Sequence, residues 1–180
     1  MKRTLALASA LLWIAIAALV GSGGAADFHP DGLRFGASAE EAFAAYADLR
    51  FESHTGYARA MDPVDFIGHR AELWLIFDEG LRAAILYVDP DESAGIDGVT
   101  GAFATLEASL AEAYGDALAA DSRVDGVGGG AVSEAGEVAG GDADHWIRFP
   151  YEGARLELVL SIRGGEAELS VQFIDGLIGE

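Results

Sequence analysis

The 180-residue chain contains no cysteine, and its only lysine is Lys2. Without cysteine no disulfide constrains the fold, so its stability must come from a packed apolar core. The missing thiol also excludes a thiolate nucleophile and a lipoprotein-type lipid anchor. Acidic residues number 30 against 11 basic ones, which gives a formal net charge of −19. A field of that sign repels nucleic acid and anionic lipid, so nucleic-acid binding is excluded as a function class.

The amino terminus has the three parts of a secretory signal peptide. Lys2 and Arg3 supply positive charge, Leu5–Val20 is an uncharged apolar run, and small residues follow as far as Ala26. The run is shorter than the about 20 residues that span a bilayer comfortably. We therefore predict a signal peptide at 1–26, with no membrane span after cleavage. An uncleaved amino-terminal anchor is the alternative.

Two helices are predicted in the mature chain. Ser38 and Glu41 have the spacing of a capping box, which starts the first helix. An apolar stripe follows it at helical spacing, formed by Ala42, Phe43, Tyr46 and Leu49. The second helix is predicted from Val99 to Ala113, and it ends at Tyr114-Gly115. Its apolar residues recur in steps of three and four: Val99, Phe103, Leu106, Leu110 and Ala113.

Strands are predicted from alternating or β-rich runs. One strand is predicted near 50–57, before a turn at Asp62-Pro63. The runs 72–77 and 81–88 form a hairpin whose loop ends in Gly80, which takes a positive φ. Three further strands are predicted at 145–149, 154–162 and 167–174. In the last two, apolar residues alternate with polar ones, which is typical of an antiparallel sheet with one solvated face.

These elements predict a single α+β domain at 27–180. We expect an antiparallel sheet of five to six strands with two helices packed on one face, with two α-β-β(-β) repeats left open as an alternative. The segment Asp116–Asp144 is rich in glycine, alanine and acids, and it is predicted to be a flexible loop. Trp74 and Trp146 fall in predicted strands, where core packing is expected. Exposed aromatic side chains there would instead indicate a binding surface.

Short turn and cap signals in residues 35–174 resemble small bacterial envelope proteins. They lie at Phe35-Gly36-x-Ser38-x-Glu40-Glu41, Phe66-x-Gly68, Phe77-Asp78-x-Gly80-Leu81 and Tyr114-Gly115. This pattern is similar to the outer-membrane-assembly lipoproteins of the BamE type and to β-lactamase-inhibitor-like repeats. The resemblance implies a non-enzymatic envelope module whose sheet or helix face contacts another protein. It implies no site residues.

No catalytic, cofactor-binding or metal-ligating residue is predicted. Asp89–Asp97 places oxygen donors at alternate positions, as a calcium loop does, but the glycine position and the final acidic ligand do not fit, and a solvated connection is favoured. The four histidines lack helical metal-ligand spacing, and no serine lies in a Gly-x-Ser-x-Gly elbow. Gly128–Gly130 has no following lysine and is interpreted as a linker. The histidines are His29, His54, His69 and His145.

The sequence therefore favours a periplasmic or extracellular protein without enzymatic activity that serves as a protein-interaction or structural module. Its expected partner is another envelope protein. A domain that binds a small cationic or apolar ligand in the concavity of the sheet is the alternative, and a hydrolase whose site the sequence conceals is a third class. An exposed apolar patch favours the module, whereas a pocket of convergent histidines and carboxylates favours the enzyme.

We predict that the exported protein lacks residues 1–26. The short apolar run and the small residues before Asp27 suit signal peptidase. Intact-mass measurement of the exported product is expected to give a chain that begins at Asp27. Recovery of the chain from the membrane fraction with Met1–Val20 attached would contradict this prediction.

Overall fold

The computed structural model describes residues 25–89, 95–125, 142–164 and 166–176. Ten strands of these residues form one sheet, accompanied by two α-helices and the short 3-10 helix Pro30–Gly32. The helices are α1 (Ala39–Ala45) and α2 (Gly95–Tyr114). The strands of the first half are β1 (Ala26–Asp27), β2 (Phe51–His54), β3 (Tyr57–Ala60), β4 (Val64–Phe66), β5 (His69–Phe77) and β6 (Leu81–Val88). Those of the second half are β7 (Ala119–Asp125), β8 (Asp142–Phe149), β9 (Ala154–Arg163) and β10 (Glu166–Asp175).

The strands follow the order β1-β4-β5-β6-β10-β9-β8-β7, and the β2–β3 hairpin joins this path through β5. β1 and β4 run parallel, and every other described pair is antiparallel. β4 pairs with the start of β5 and β3 pairs with its end, so both lie along the same side of one long strand. β10 lies in the middle of the sheet, between β6 and β9.

The predicted five- to six-stranded antiparallel sheet is therefore wrong. The sheet has ten strands and is mixed, and the predicted repeats are not found, because five strands follow α1 and four follow α2. The missed strands are short or poor in apolar residues. β1 has two residues and β4 three, too few to show alternation, and the predicted strand near 50–57 is in fact the β2–β3 hairpin.

The predicted loop at Asp116–Asp144 is also wrong in part. Ala119–Asp125 forms β7, and β8 begins at Asp142, three residues earlier than the predicted strand. Small and acidic side chains gave this segment no apolar pattern. It becomes a strand through backbone pairing with β8, which needs no large side chains. Residues 126–141 lie outside the described part of the chain.

Three local predictions are confirmed. The backbone N–H of Ser38 donates to the Glu41 carboxylate at 2.9 Å, and the backbone N–H of Glu41 donates to Ser38 Oγ at 3.3 Å, which is the capping box that starts α1. The β5–β6 hairpin turns at Asp78–Gly80, with φ 153° at Gly80. α2 ends at Tyr114, and Gly115 follows with φ 96°. Each of these signals depends on only a few neighbouring residues.

The core lies on one face of the sheet, called here the inner face. Alternate residues of the long strands are buried there, such as Leu73 and Leu75 of β5 and Leu156 and Leu158 of β9. α2 packs against β8, β9 and β10, and it buries its own apolar stripe against the inner face of the sheet. The stripe consists of Val99, Phe103, Leu106 and Leu110. Its spacing is that of the predicted second helix.

An aromatic cluster joins the two halves of the sheet within this core. Phe28, from the segment after β1, lies 5.9 Å from Phe66 of β4 and 6.2 Å from Phe173 of β10, measured between ring centroids. Tyr46 stacks on Phe28 at 5.3 Å. Tyr151 reaches Phe173 at 5.1 Å from the β8–β9 connection. Elements from the beginning, middle and end of the described chain therefore meet in one set of rings.

Two tyrosine hydroxyls of this region lie in poorly solvated positions. Tyr46 Oη donates to the backbone carbonyl of His29 at 3.0 Å. Burial raises the pKa of Tyr46, and neighbouring Tyr151 and Asp31 raise it further. Burial, with the same two neighbours, raises the pKa of Tyr114 to about 12. Ionisation of either ring therefore opposes folding, and stability falls as the pH rises above the ordinary tyrosine pKa of about 10.

The β5–β6 turn is held against the loop that precedes α1 by backbone contact. Gly36 N–H donates to the Leu81 carbonyl at 2.8 Å, and Leu81 N–H donates to the Ala37 carbonyl at 2.7 Å. A Cβ atom on Gly80 would lie 2.5 Å from the carbonyl oxygen of Gly36. Because the obstructing atoms are backbone, they have no rotamer by which to move away. Glycine is required at position 80 by both its φ and this approach.

We predict that Gly80→Ala lowers the free energy of unfolding by about 2 to 4 kcal/mol, because the methyl group strains the backbone and separates the two loops. The control is Gly101→Ala, on the exposed surface of α2, where a Cβ meets no atom within 4 Å. Alanine in a helix interior is expected to add about 0.5 to 1 kcal/mol there. Urea melts of both variants measure the difference. Equal stability of the Gly80 variant and the parent would contradict the contact.

Candidate functional site

The face of the sheet opposite the core, called here the outer face, carries no described helix. Both helices contribute their buried residues to the core on the inner face. The backbone register aligns the outer-face residues in three rows that cross the strands of the sheet. The apolar residues in these rows are half-buried, because neighbouring side chains shield one another on the strands.

The three rows follow directly from the strand register. The first row contains His54, Tyr57, Ile76, Ala83, Ile174 and Arg155. The second row contains Glu52, Arg59, Trp74, Ile85, Gln172, Glu157 and Arg148. The third row contains Glu72, Tyr87, Ser170, Val159, Trp146 and Asp121.

Four rings form a continuous strip at one end of these rows. His54 stacks on Tyr57 with ring centroids 4.7 Å apart, and Tyr57 stacks on Trp74 at 5.1 Å. Tyr87 meets Trp74 edge-on at 6.0 Å. Each ring supports the next, so the strip is fixed in place without a covering element. Burial raises the pKa of the Tyr87 hydroxyl, and Glu168 and Glu72 add to the shift.

The expected core positions of Trp74 and Trp146 are wrong. Both side chains lie in the outer-face rows and are half-buried, while their strand neighbours Leu73 and Ile147 point into the core. Leu73 to Phe77 are apolar at every position, which hides the alternation there. Glu72, two residues before Trp74 and on the same side of β5, is the signal that could have placed Trp74 on the outer face. Aromatic side chains on an uncovered sheet face are the feature that indicates a binding surface.

Two of the three arginines in the rows are paired within the outer face. Arg59 donates to Glu72 at 3.1 Å and to Glu52 at 3.2 Å. Arg148 donates to Glu157 at 2.8 Å, and its guanidinium lies 5.2 Å from the centroid of the Trp146 ring. Such part-exposed pairs add little stability, but they fix the orientation of the side chains. The three rows hold three arginines and four carboxylates, so this face is close to neutral in a chain of net charge −19.

Two nitrogen donors on the outer face have no acceptor in the described structure. They are the Trp74 indole Nε1 and Arg155 Nε, and both atoms are buried from solvent. A buried donor without an acceptor costs about 1 to 3 kcal/mol. Both residues belong to the rows defined above, Arg155 to the first and Trp74 to the second. The outer face is therefore less well satisfied in its polar groups than the inner one.

The residues considered for chemistry from sequence do not converge. No group of three His, Asp or Glu residues in the described part of the chain could hold a metal ion. His29 and His54 are exposed, whereas His145 faces Phe103 on the inner side. In the Asp89–Asp97 run, residues 90–94 and the side chains of 95–97 lie outside the described structure, as does Gly128–Gly130. No described helix is long and apolar enough to cross a membrane.

No protein-family model, curated protein or solved structure matches this chain. The resemblance to BamE-type and β-lactamase-inhibitor-like modules therefore stays a prediction. Function has to be inferred from the residues of the outer face.

We predict that adjacent residues of β6 differ sharply in their contribution to stability. Leu86 is fully buried, and Leu86→Ala is expected to cost about 2 to 5 kcal/mol. Ile85 lies half-buried on the outer face, and Ile85→Ala is expected to cost about 1 kcal/mol, less than half as much. Chemical denaturation of both variants tests the assignment of faces. An equal or larger loss at Ile85 would mean that the outer face is covered.

Proposed function

We propose that this protein is an exported, non-enzymatic interaction module that binds a partner protein of the cell envelope through the outer face of its sheet. The observation that carries the proposal is the nearly neutral outer face with its supported aromatic strip, over which no described element lies. Its export rests on the predicted signal peptide. Within the described residues, this face keeps apolar area available for a second protein.

The size of the outer face suits a specific interface. Each row crosses six or seven of the eight strands between β2 and β7. Neighbouring strands lie about 4.8 Å apart, and successive rows lie about 7 Å apart. With side-chain widths included, the patch measures roughly 30 by 20 Å, or about 600 Å². That is the lower end of the area that one partner contributes to a specific complex. We therefore expect an affinity in the micromolar range, typical of exchangeable complexes.

The composition of the face supports the same function. Protein interfaces are enriched in aromatic residues and arginine and are depleted of net charge at their centre. Tyr57, Trp74 and Tyr87 supply the aromatic area, and Arg148 lies over Trp146. The Trp74 indole Nε1 has no acceptor in the described structure, and a partner that supplies one would satisfy it. These are the residues whose truncation is expected to weaken binding most.

The charge of the remaining surface indicates the chemistry of the partner. Most of the 30 acidic residues lie outside the three rows, so the rest of the chain carries the net negative charge. A partner with an apolar patch bordered by lysine and arginine matches this arrangement, and the border speeds association at low salt. An acidic partner would be repelled before its apolar patch came into contact.

The experiment compares capture by variants that differ only in where one positive charge is placed. The mature protein, Ile85→Arg, Val159→Arg and the control Ala44→Arg are immobilised and exposed to envelope extract. Ile85 and Val159 lie on the outer face, and Ala44 is exposed on α1. We expect one protein to be captured by the parent and by the control, with at least a tenfold loss in both face variants. Equal capture by all four proteins would refute the assignment to this face.

A further inference from the structure

Arg155 is the arginine of the outer-face rows that the described structure leaves without a counter-charge. Its side chain is half-buried and its Nε is shielded from water. Among the described residues, no hydrogen-bond acceptor and no ion-pair partner contacts it. Arg59 and Arg148, in the same rows, each pair with glutamate. A guanidinium cannot lose its proton to relieve a poorly solvated charge, so Arg155 is costly to bury until an anion contacts it.

The missing counter-charge does not reflect a shortage of acids. The chain has 30 acidic residues against 11 basic ones. Arg34 and Arg70 also form no ion pair in the described structure, but both are exposed, and water solvates their charge. Arg155 differs from these two because it is half-buried, on a face over which no described element lies. A group from outside the described residues would complete its environment.

The residues beside Arg155 form an apolar run that ends at this arginine. On successive strands of the first row, three half-buried apolar side chains follow it: Ile174, Ala83 and Ile76. Tyr57 of the aromatic strip comes next. The pairing of β8 with β9 stops at Leu156, so β8 places no residue on the other side of Arg155. A positive group therefore lies at one end of an apolar run, which is about 19 Å long at about 4.8 Å per strand.

We propose that the outer face binds the carboxyl-terminal tail of its partner, with the terminal carboxylate at Arg155 and the preceding residues extended along the apolar run. This inference rests on the proposed function, because it specifies which part of the partner the face receives. A carboxylate matches the planar fork of a guanidinium and accepts two hydrogen bonds from it. A chain terminus fits better than an internal acidic residue, because the run continues on only one side of Arg155.

The length of the run sets the length of the bound tail. An extended chain advances about 3.3 Å per residue, so about six residues cover the run from Arg155 to Tyr57. Residues 177–180 of this chain follow Gly176 and lie outside the described part. Four residues extend over about 14 Å at most, which is too short to cover the run. The occupant is therefore assigned to a second protein, and the chain's own terminus becomes an outcome of the test.

The net charge of the chain makes a peptide test selective. A chain of charge −19 repels a peptide that ends in a free carboxylate more than it repels the same peptide as an amide. The overall field therefore predicts that the amide binds better. A carboxylate site at Arg155 predicts the opposite order, so the sign of the preference separates the two effects.

The experiment measures the Kd of three hexapeptides for the full chain by fluorescence anisotropy. Each peptide alternates serine with leucine, carries a neutral dye at its amino terminus and has leucine as the last residue. The first has a free terminal carboxylate and the second is its amide. The third is an amide with glutamate in place of the last leucine. We expect the free acid to bind at least about tenfold more tightly than the other two, because hydrogen bonds to a charged group are the stronger kind.

Three variants locate the effect on the face. Arg155→Gln is expected to weaken binding of the acid at least about tenfold and to bring acid and amide within about twofold of each other. Arg70→Gln removes the same charge from an exposed position of β5 and should leave the ratio of acid to amide unchanged. Ile174→Gln should weaken acid and amide alike, because both make the apolar contact. Circular dichroism confirms that each variant folds.

Truncation after Gly176 tests whether the chain's own terminus is the occupant. If a partner's tail is the occupant, removal of residues 177–180 leaves the affinity for the acid peptide unchanged. If the chain's own terminus occupies Arg155, its removal vacates the site, and the affinity for the acid rises at least about tenfold. That rise would overturn the assignment to a second protein.

Three other results would also overturn the proposal. The first is the absence of an acid preference in the parent, whether the peptides bind equally or none binds at millimolar concentration. The second is a preference that survives in Arg155→Gln or disappears in Arg70→Gln. The third is equal binding of the glutamate peptide, which would assign the site to an acidic side chain. If Ile85→Arg and Val159→Arg leave partner capture intact, the proposed function fails while these peptide ratios stand, so the two failures are distinguishable.

Discussion

The contact of Phe28 with Phe66 and Phe173 is the interaction on which the arrangement of the sheet depends. Phe28 follows the two-residue strand β1, Phe66 ends β4, and Phe173 lies in β10, which joins the two halves of the sheet. Without these rings, Val64 would be the one remaining fully buried side chain of β1 and β4, beside a few backbone hydrogen bonds. Because the chain has no cysteine and so no disulfide, apolar contact of this kind must hold β1 and β4 in the sheet.

The same packing explains why neither described helix covers the outer face. Both helices pack on the inner face, which carries the aromatic rings and the leucines of β5, β9 and β10. An amphipathic helix buries its apolar stripe against the largest apolar area. The side chains of the outer face are instead held in place by stacking and by arginine pairs such as Arg148–Glu157. This face is therefore ordered although no described element covers it.

The sequence predicted those parts of the fold that depend on neighbouring residues. Ser38 and Glu41 lie three positions apart, and Gly80 fixes a turn within its own hairpin, so both were evident. β4 and β7 depend on partners elsewhere in the chain, and their own residues carry little apolar pattern. The outer face could not be predicted for the same reason: its rows arise from eight strands brought into register. Trp74 alone gives no indication of which side it occupies.

The central place of β10 has a consequence for the order of folding. β10 is the last described strand, yet it joins β6 to β9, and Arg82 of β6 bonds Asp175 of β10 across 93 positions of sequence. The hairpin β5–β6 and the strands β7 to β9 can form separately, but the sheet closes only when β10 arrives. Such a high contact order slows folding. For the export proposed above, this delay is an advantage, because the core of a chain that crosses a translocase unfolded cannot close before β10 is available.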